Sequence, residues 1–475
     1  MPTKSSSRAL AIALVASTSA ALSGCGSWQR VNEKPGPSTE HEVTQMFDAN
    51  GLFSRLGRLV SSQDVQYIGS VAFVPGPRDS TTAIVAISLA NRVFAFERSG
   101  KGFGARYRIE YEFTRPGAPP VIIGRDKSIV VGSFQETMRT DESLIEQQKI
   151  VLAPGDYQVS VRVRDLGNSQ TGTATQRVTA PSFVPGTYTA PILAYNLHSR
   201  GSRDDSLSIV LNPRGTVAYG GDTLLVYVEG FGYTKPADLP IEVRDEHDSV
   251  VVRSTMHFTG TGGVEGRTLR VVPESAPLGQ LEVLVGPDNA VHNTIPANRF
   301  AIAPGGDAVH RTNALVSFST AWVVTNFDDL LSLLRYFGEN RRVEAMRRAK
   351  GTDRISLWQD FFKSTDPNPA TPENEALDQY FSRIAIANQR YRETGFPGWR
   401  SDRGEVFIVL GDPDVVQDQS AQLQNANRVI RWEYTNYRIL LYFQDITGFG
   451  RFQLTPQSRS DFERVRARIQ NPADR

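Results

Sequence analysis

Apolar and polar residues alternate through much of this chain. In "RYRIEYEF", Tyr107, Ile109, Tyr111 and Phe113 fall on one side, with Arg106, Arg108, Glu110 and Glu112 on the other. That period of two predicts a half-buried strand. "YQVSVRVRD" repeats the form with Tyr157, Val159, Val161 and Val163 behind a Pro154-Gly155 turn, and "YIGSVAFVPG" and "TTAIVAISLANRVFAF" are apolar runs bounded by turn residues. A second series, "LSIVLNP", "DTLLVYVEGFG", "PIEVRDEHDSVVVRS", "RTLRVVPE" and "GQLEVLVGPDN", lies between Pro185 and Pro304. Strands of this length and spacing predict two all-β, immunoglobulin-like sandwich modules, at 64–183 and 184–305. Two such modules in series suit a spacer or binding protein better than an enzyme core.

The period changes near Gly305. "NFDDLLSLLRYFGENRRVEAMRRA" places Leu330, Leu331, Leu334, Tyr336, Phe337, Val343 and Met346 at helical spacing, with Asn326 or Asp328 as cap and Gly351 as stop. A further helix, a proline-rich loop and another helix follow. Thr371-Pro372-Glu373 is the expected start of the last one, and Leu377, Tyr380, Phe381, Ile384 and Ala387 are its buried stripe. "EVFIVL", "VIRWEYTNY", "RILLYFQD" and "GRFQLTP" then read as strands, and a helical tail begins at Arg459. The expected architecture is multidomain: two sandwiches followed by an α+β domain at 306–475. That last domain should fold alone, with Pro304-Gly305-Gly306 marking its boundary.

The N-terminus carries a different signal. Lys4 and Arg8 precede an apolar run from Ala9 to Ala21, too short to span a bilayer and of signal-peptide size. The run ends in Leu22-Ser23-Gly24-Cys25, which looks like a bacterial lipobox, and Cys25 is the only cysteine in the chain. Residues 1–24 are expected to be removed and Cys25 to be lipidated, palmitate included. With no second cysteine, no intramolecular disulfide can form. Gly26, directly after the cysteine, is not the aspartate that retains some lipoproteins at the inner membrane. The expected location is therefore the outer membrane, facing the periplasm. Residues 25–63 form a lipidated tether, in which Val43, Met46, Phe47, Phe53, Leu56 and Val60 suggest a short amphipathic helix between Ser38 and Ser61 that folds back on the body.

Charge removes several function classes. Losing residues 1–24 takes Lys4 and Arg8 and turns the formal charge from +1 to −1. That leaves no electrostatic footprint for nucleic acid. His41, His198, His247, His257, His292 and His310 all precede the C-terminal helices and strands, so those elements hold no histidine triad or zinc site of their own, though one assembled across domains stays open. Asp412, Asp414 and Asp418 lack EF-hand spacing and read as a turn. The glycine-rich run from Gly260 to Gly266 has no following Lys-Ser/Thr and reads as a hairpin loop. No metal and no small-molecule cofactor is expected.

"DPNPATPENE", "GWRSDRG", "GDPD" and the later "RWEY" and "FQDITGFGRF" together resemble the GWxTD-domain family, over roughly Ala314 to Thr455. The resemblance implies a bacterial, often lipid-anchored protein of uncharacterised function, with a β-rich region before the domain. Ser401 stands where that signature has threonine, keeping the hydroxyl and losing a methyl.

The residues that carry the signature are Gly398, Trp399, Ser401, Asp402, Arg403, Gly404, Gly411, Pro413, Asp414, Glu433 and Asp445. Gly398 permits a positive φ, Gly404 a close approach, and Arg403 a planar fork for Asp412, Asp414 or Glu433. Three readings compete: a structural lock joining helix to strand, an exposed binding surface, or a catalytic pair made of Asp402 and Asp414. No residue is assigned as catalytic. The expected function is a lipid-anchored envelope protein that binds a protein or envelope component through its GWxTD domain. The alternative is a hydrolase or glycan-processing enzyme that uses the signature carboxylates.

Overall fold

The computed structural model describes residues 49–100, 102–139, 144–219, 223–246, 248–286, 309–317, 327–349, 351–371, 373–393, 397–419, 428–445, 448 and 450–470. The expected signal peptide, Cys25 and most of the tether lie outside them.

Helix α1 (Ala49–Arg55) is the described part of the amphipathic stretch. Gly57, at φ 76°, ends it. Leu59–Ser61, expected as more helix, is strand β1. Leu52, Phe53 and Leu56 pack on Ile68 and Leu315, so the helix does fold back on the body.

Two facing sheets follow. One runs in the order β1, β2 (Tyr67–Pro75), β3 (Thr81–Leu89), β7 (Leu144–Leu152). The other is β4 (Glu97–Ser99), β5 (Gly102–Thr114), β8 (Gly155–Asp165), β9 (Thr171–Ala180), with β6 (Val121–Val131) also on β5 and a short helix α2 (Phe134–Thr137) after it. The inward faces of β5 and β8 are the ones the alternation marked, and they meet β2 and β3 in one apolar core. Strands β6, β7 and β9 had no alternation to read. Ladder hydrogen bonds to β5, β3 and β8 recruit them.

A second pair follows. One sheet is β10 (Thr187–Tyr188), β14 (Leu224–Phe231), β11 (Ile192–His198), β12 (Ser208–Leu211), with β17 (Val264–Val271) also on β14. The other is β13 (Thr216–Ala218), β19 (His310–Ser317), β18 (Gly279–Val285), β15 (Ala237–Asp245), β16 (Val250–Phe258), in which β13 and β19 are parallel. The glycine-rich run joins β16 to β17 in different sheets, so it is a crossover and not the expected hairpin. Glu265 organises it, accepting from the amides of Thr259, Gly260 and Thr261 at 2.7, 2.8 and 3.0 Å. Burial would raise that carboxyl, but these donors outweigh it and hold it at about 2.

The two pairs are docked, not strung. Val74, Ile84 and Ala86 of the first pack with Ile192, Leu207, Ile209 and Tyr227 of the second. Beside them a buried Arg200–Glu229 pair at 2.9 Å also donates to Pro75 O.

The C-terminal region is α3 (Phe327–Leu333), α4 (Asn340–Arg348), α5 (Gly351–Thr365), α6 (Glu375–Arg390), α7 (Asp402–Leu410), a sheet β20 (Val415–Asp418), β21 (Arg428–Tyr434), β22 (Ile439–Asp445), β23 (Gln453–Leu454), and α8 (Pro456–Gln470). Gly338, at φ 109°, breaks the expected first helix in two, and Gly351 opens α5 instead of ending α4. Asn374, not Thr371, caps α6, accepting from Leu377 N at 3.0 Å; the Thr371 hydroxyl bonds the Glu375 carboxylate.

"EVFIVL" is helical, within α7, and not a strand. A continuous apolar run does not separate a buried helix from a buried strand. The Ser401 cap and the acids Asp402 and Glu405 in the first turn decide it.

The regions on either side of the expected 305/306 boundary are packed together. Strand β19 is hydrogen-bonded to β18 along its whole length and belongs to the second pair. One apolar cluster runs from that pair into α5 and α6, and Tyr219 meets Phe362 at 5.0 Å and Trp358 at 6.4 Å. A 306–475 fragment is therefore expected to expose Trp358 and lose cooperative melting, while 184–475 keeps it. Tryptophan fluorescence and thermal circular dichroism of both fragments check this. Cooperative melting of 306–475 alone would overturn it.

Candidate functional site

The signature folds into a turn of 3-10 helix, Gly398–Arg400, followed directly by α7. Trp399 is fully buried, edge-on to Tyr336 at 6.3 Å with the Arg400 guanidinium over its ring at 5.0 Å. The Ser401 hydroxyl does two jobs: it accepts from Gly404 N at 3.0 Å and donates to Gly398 O at 2.8 Å. Threonine would offer the same two bonds, so neither depends on the missing methyl.

Both glycines are required by contact. A Cβ on Gly398 would lie 2.2 Å from Ala387 O, so its role is close approach to α6 and not the positive φ expected. A Cβ on Gly404 would lie 1.9 Å from Gly398 O. Gly411, at φ 85°, ends α7, and Arg383 of α6 donates to the last-turn carbonyls of Ile408 and Val409 at 3.2 and 3.4 Å.

The charged residues are consumed inside the domain. Asp402 accepts from Leu454 N at 2.7 Å and pairs with Arg459 of α8 at 2.6 Å. One turn on, Glu405 pairs with Arg459 at 2.8 Å and with Arg466 at 3.0 Å. Two acids three residues apart on α7 thus meet two arginines seven apart on α8, which is one helix face gripping another.

Arg403 pairs with none of Asp412, Asp414 or Glu433. Its Nη2 donates to Glu393 Oε1 at 3.1 Å, while its guanidinium lies 4.4 Å from the Phe452 ring centre and 5.8 Å from that of Tyr391. The pair is buried, with side chains 16% and 2% exposed. Burial pushes the Glu393 carboxyl up, against the pull of Phe452 N–H and Arg403.

The other predicted residues hold loops and strands. Asp414 is exposed and accepts from Thr435 N at 2.7 Å. Glu433 pairs with Arg431 on its own strand at 2.7 Å. Asp445 is fully buried and accepts from Gly448 N at 2.9 Å and Gly450 N at 2.7 Å. Pro413 is half-buried just after α7. Asp402 is the first residue of α7 and Asp414 lies four residues past its last, and the rise along that nine-residue helix alone is roughly 12 Å. Glycosidase carboxylate pairs stand about 5–10 Å apart. Among the described residues no group of His, Cys, Asp and Glu is placed to hold a metal.

A buried tryptophan, an internally capped turn and a desolvated Arg–Glu pair make up this motif, and the family match falls on the same segment. Residues 306–446 match the family model of the GWxTD domain. The chain carries a GWxTD domain. No curated protein matches the chain. Among solved structures, the latent dimer of PorU from Porphyromonas gingivalis is similar at 9% identity and a TM-score of 0.22, over 57% of this chain and 21% of that one. This chain thus spans about a fifth of PorU. The calcium binding domain CBD12 of CALX1.1 is similar at 12% identity and a TM-score of 0.14, over 52% of this chain and 98% of that one. Neither likeness carries weight for fold or function.

Within the GWxTD domain, sequence reasoning missed Glu393, Glu405, Arg383 and Arg459. Arg459 and Arg466 had a legible signal, two basic residues two helical turns apart in a tail already read as helix. Glu393 had none, because only the return of Phe452 to the signature buries it.

Proposed function

We propose that the protein is a lipid-anchored, periplasm-facing component of the bacterial envelope, attached through Cys25, that acts by binding a protein or envelope component. Its two sheet pairs serve as immunoglobulin-like spacer modules under the GWxTD domain. The observation that supports binding over catalysis is the use of the signature: Ser401, Asp402, Arg403 and Asp445 each hold the domain's own backbone or side chains. The domain then serves as a rigid platform. Its contact surface is β20, which among the described residues pairs only with β21 and whose four residues are all exposed, Val416 at 58%. An edge strand that exposes two valines is a template for association.

Two measurements test this reading. Cys25→Ser is expected to move the protein out of the membrane fraction or leave it unprocessed, and undiminished lipid labelling of that variant would overturn the anchor. Several acyl chains hold more firmly than one, so high salt should not release the wild type. In-cell photo-crosslinking from position 416 is expected to yield a recurrent envelope adduct. Its absence there, with normal membrane attachment, would remove β20 as the contact.

A further inference from the structure

A cleft of about 1390 Å³ opens between the first and second sheet pairs, and no residue of the signature lines it. Two of its walls are strand edges. Ser70, Val71, Ala72 and Phe73 of β2 line it in unbroken succession, and so do Gln176 to Thr179 of β9. Successive residues point to opposite faces of a sheet, so a run of neighbours lining one cleft marks an edge. The pairing agrees. Strand β1 covers β2 only at Tyr67–Gly69, while β3 covers its whole length on the other side. Ser70–Phe73 therefore has no strand neighbour on the β1 side among the described residues. Among the described residues strand β9 pairs with β8 alone. The faces of β2 are already occupied, since Val71 and Phe73 pack into the first core and Ala72 against the second pair. What remains open is the hydrogen-bonding edge.

Beside this edge stands Arg58. Its Nη2 donates to Asn313 O at 2.5 Å, and its Nε is buried without an acceptor. No carboxylate among the described residues lies within ion-pair distance of it. Gly215 makes room for the guanidinium, since a Cβ there would lie 2.0 Å from Nη2. Burial lowers the Arg58 pKa to about 10, the mark of a desolvated cation without a counter-charge. Around it, Gln176 donates to Gly57 O at 3.2 Å and Gln280 to Asn313 Oδ1 at 3.3 Å, so both sheet pairs contribute to this polar floor.

We propose that the cleft binds an extended peptide segment bearing an acidic group, its backbone added as a strand beside Ser70–Phe73 and its acid lying on Arg58. An open strand edge offers alternating N–H and C=O groups at a spacing that a peptide backbone matches. The unpaired guanidinium supplies the charge preference at this end of the edge, while acids such as Glu246 and Glu282 line other parts of the cleft. A fatty acid or acidic glycan would satisfy Arg58 and leave the edge unused. The inference rests on the binding reading above but on a different face from β20, so either can fail without the other.

The test is fluorescence anisotropy of the full chain with a labelled heptapeptide of alternating threonine and valine that ends in aspartate. Two companions are its twin ending in asparagine and one with proline at the centre, all three amidated at the C-terminus. The acidic peptide is expected to bind at least about tenfold more tightly than the asparagine twin, as for a hydrogen bond to a charged group. The proline peptide, lacking a central N–H, is expected not to bind. Arg58→Gln should bring the acidic peptide down to the level of its twin and leave the twin unchanged. Equal binding of the two peptides, undiminished binding of the proline peptide, or displacement by octanoate or oligogalacturonate would overturn the proposal. Should Arg58→Gln fail to fold, the comparison among peptides on the wild type decides alone.

Discussion

Gly404→Ala is expected to destabilise the GWxTD domain by at least about 3 kcal/mol. Two effects oppose each other here. Alanine favours a helix interior over glycine by about 1 kcal/mol, and position 404 lies in the first turn of α7, so propensity alone predicts a gain. The new Cβ, however, would sit 1.9 Å from Gly398 O, 2.9 Å from Gly398 C and 3.1 Å from Trp399 Cα. These are backbone atoms, fixed by the Ser401 cap and the buried Trp399, so no side chain can swing aside. Overpacking that forces side-chain and backbone shifts costs about 1–3 kcal/mol and occasionally more, and here only backbone can give way. The clash wins. A urea titration followed by circular dichroism measures it, with Gly201→Ala as control, where a Cβ meets nothing within 4 Å and the effect should stay within about 0.5 kcal/mol. A Gly404→Ala midpoint equal to or above wild type would show that α7 can slide away from the signature turn.

Arg403→Ala should cost roughly 3–5 kcal/mol at neutral pH, the range for breaking a buried pair. The loss comes from the group left behind. Among the described residues Glu393 would keep only the Phe452 N–H and lie desolvated without its cation. The pH dependence gives the sign. Burial already raises the folded-state value of Glu393 above the ordinary 4.5, and removing Arg403 raises it further. A carboxyl raised in the folded state contributes stability below its unfolded value, and that stability is lost as pH rises through the folded value. The variant should therefore recover part of its deficit as pH falls toward 4.5, relative to wild type. Glu393→Gln in the same background should recover part of it at neutral pH. A variant as stable as wild type at pH 7 would mean that the pair is not a lock. Arg403 would then become a place to look for a ligand.

How much of this was legible beforehand differs by element. The inward faces of β5 and β8 were readable residue by residue, because a strand buried on one face writes its environment into its own alternation. Strands β6, β7 and β9 were not, since their hydrogen-bonding partners and not their side chains make them strands. Helix α7 was misread for a related reason. After Glu405, "VFIVL" is one continuous apolar run packed against α6 and α8, and such a run carries no period to separate a helix from a strand. At the candidate site the sequence supplied the motif residues and the lock as one of three readings. The partner of Arg403 was not.

The sequence by itself determined the β-rich series, the helical region that follows, the stripe of α6 and the presence of the GWxTD signature. Each of these rests on interactions between residues close in the chain. Only the tertiary structure decided that Glu393 faces Arg403, that Asp402 and Glu405 grip α8, and that β19 belongs to the second sheet pair. It also decided that Arg58 stands beside an open strand edge. These depend on residues tens to hundreds of positions apart being brought together and dried by the same packing, and no local pattern encodes which distant charge will share a buried site.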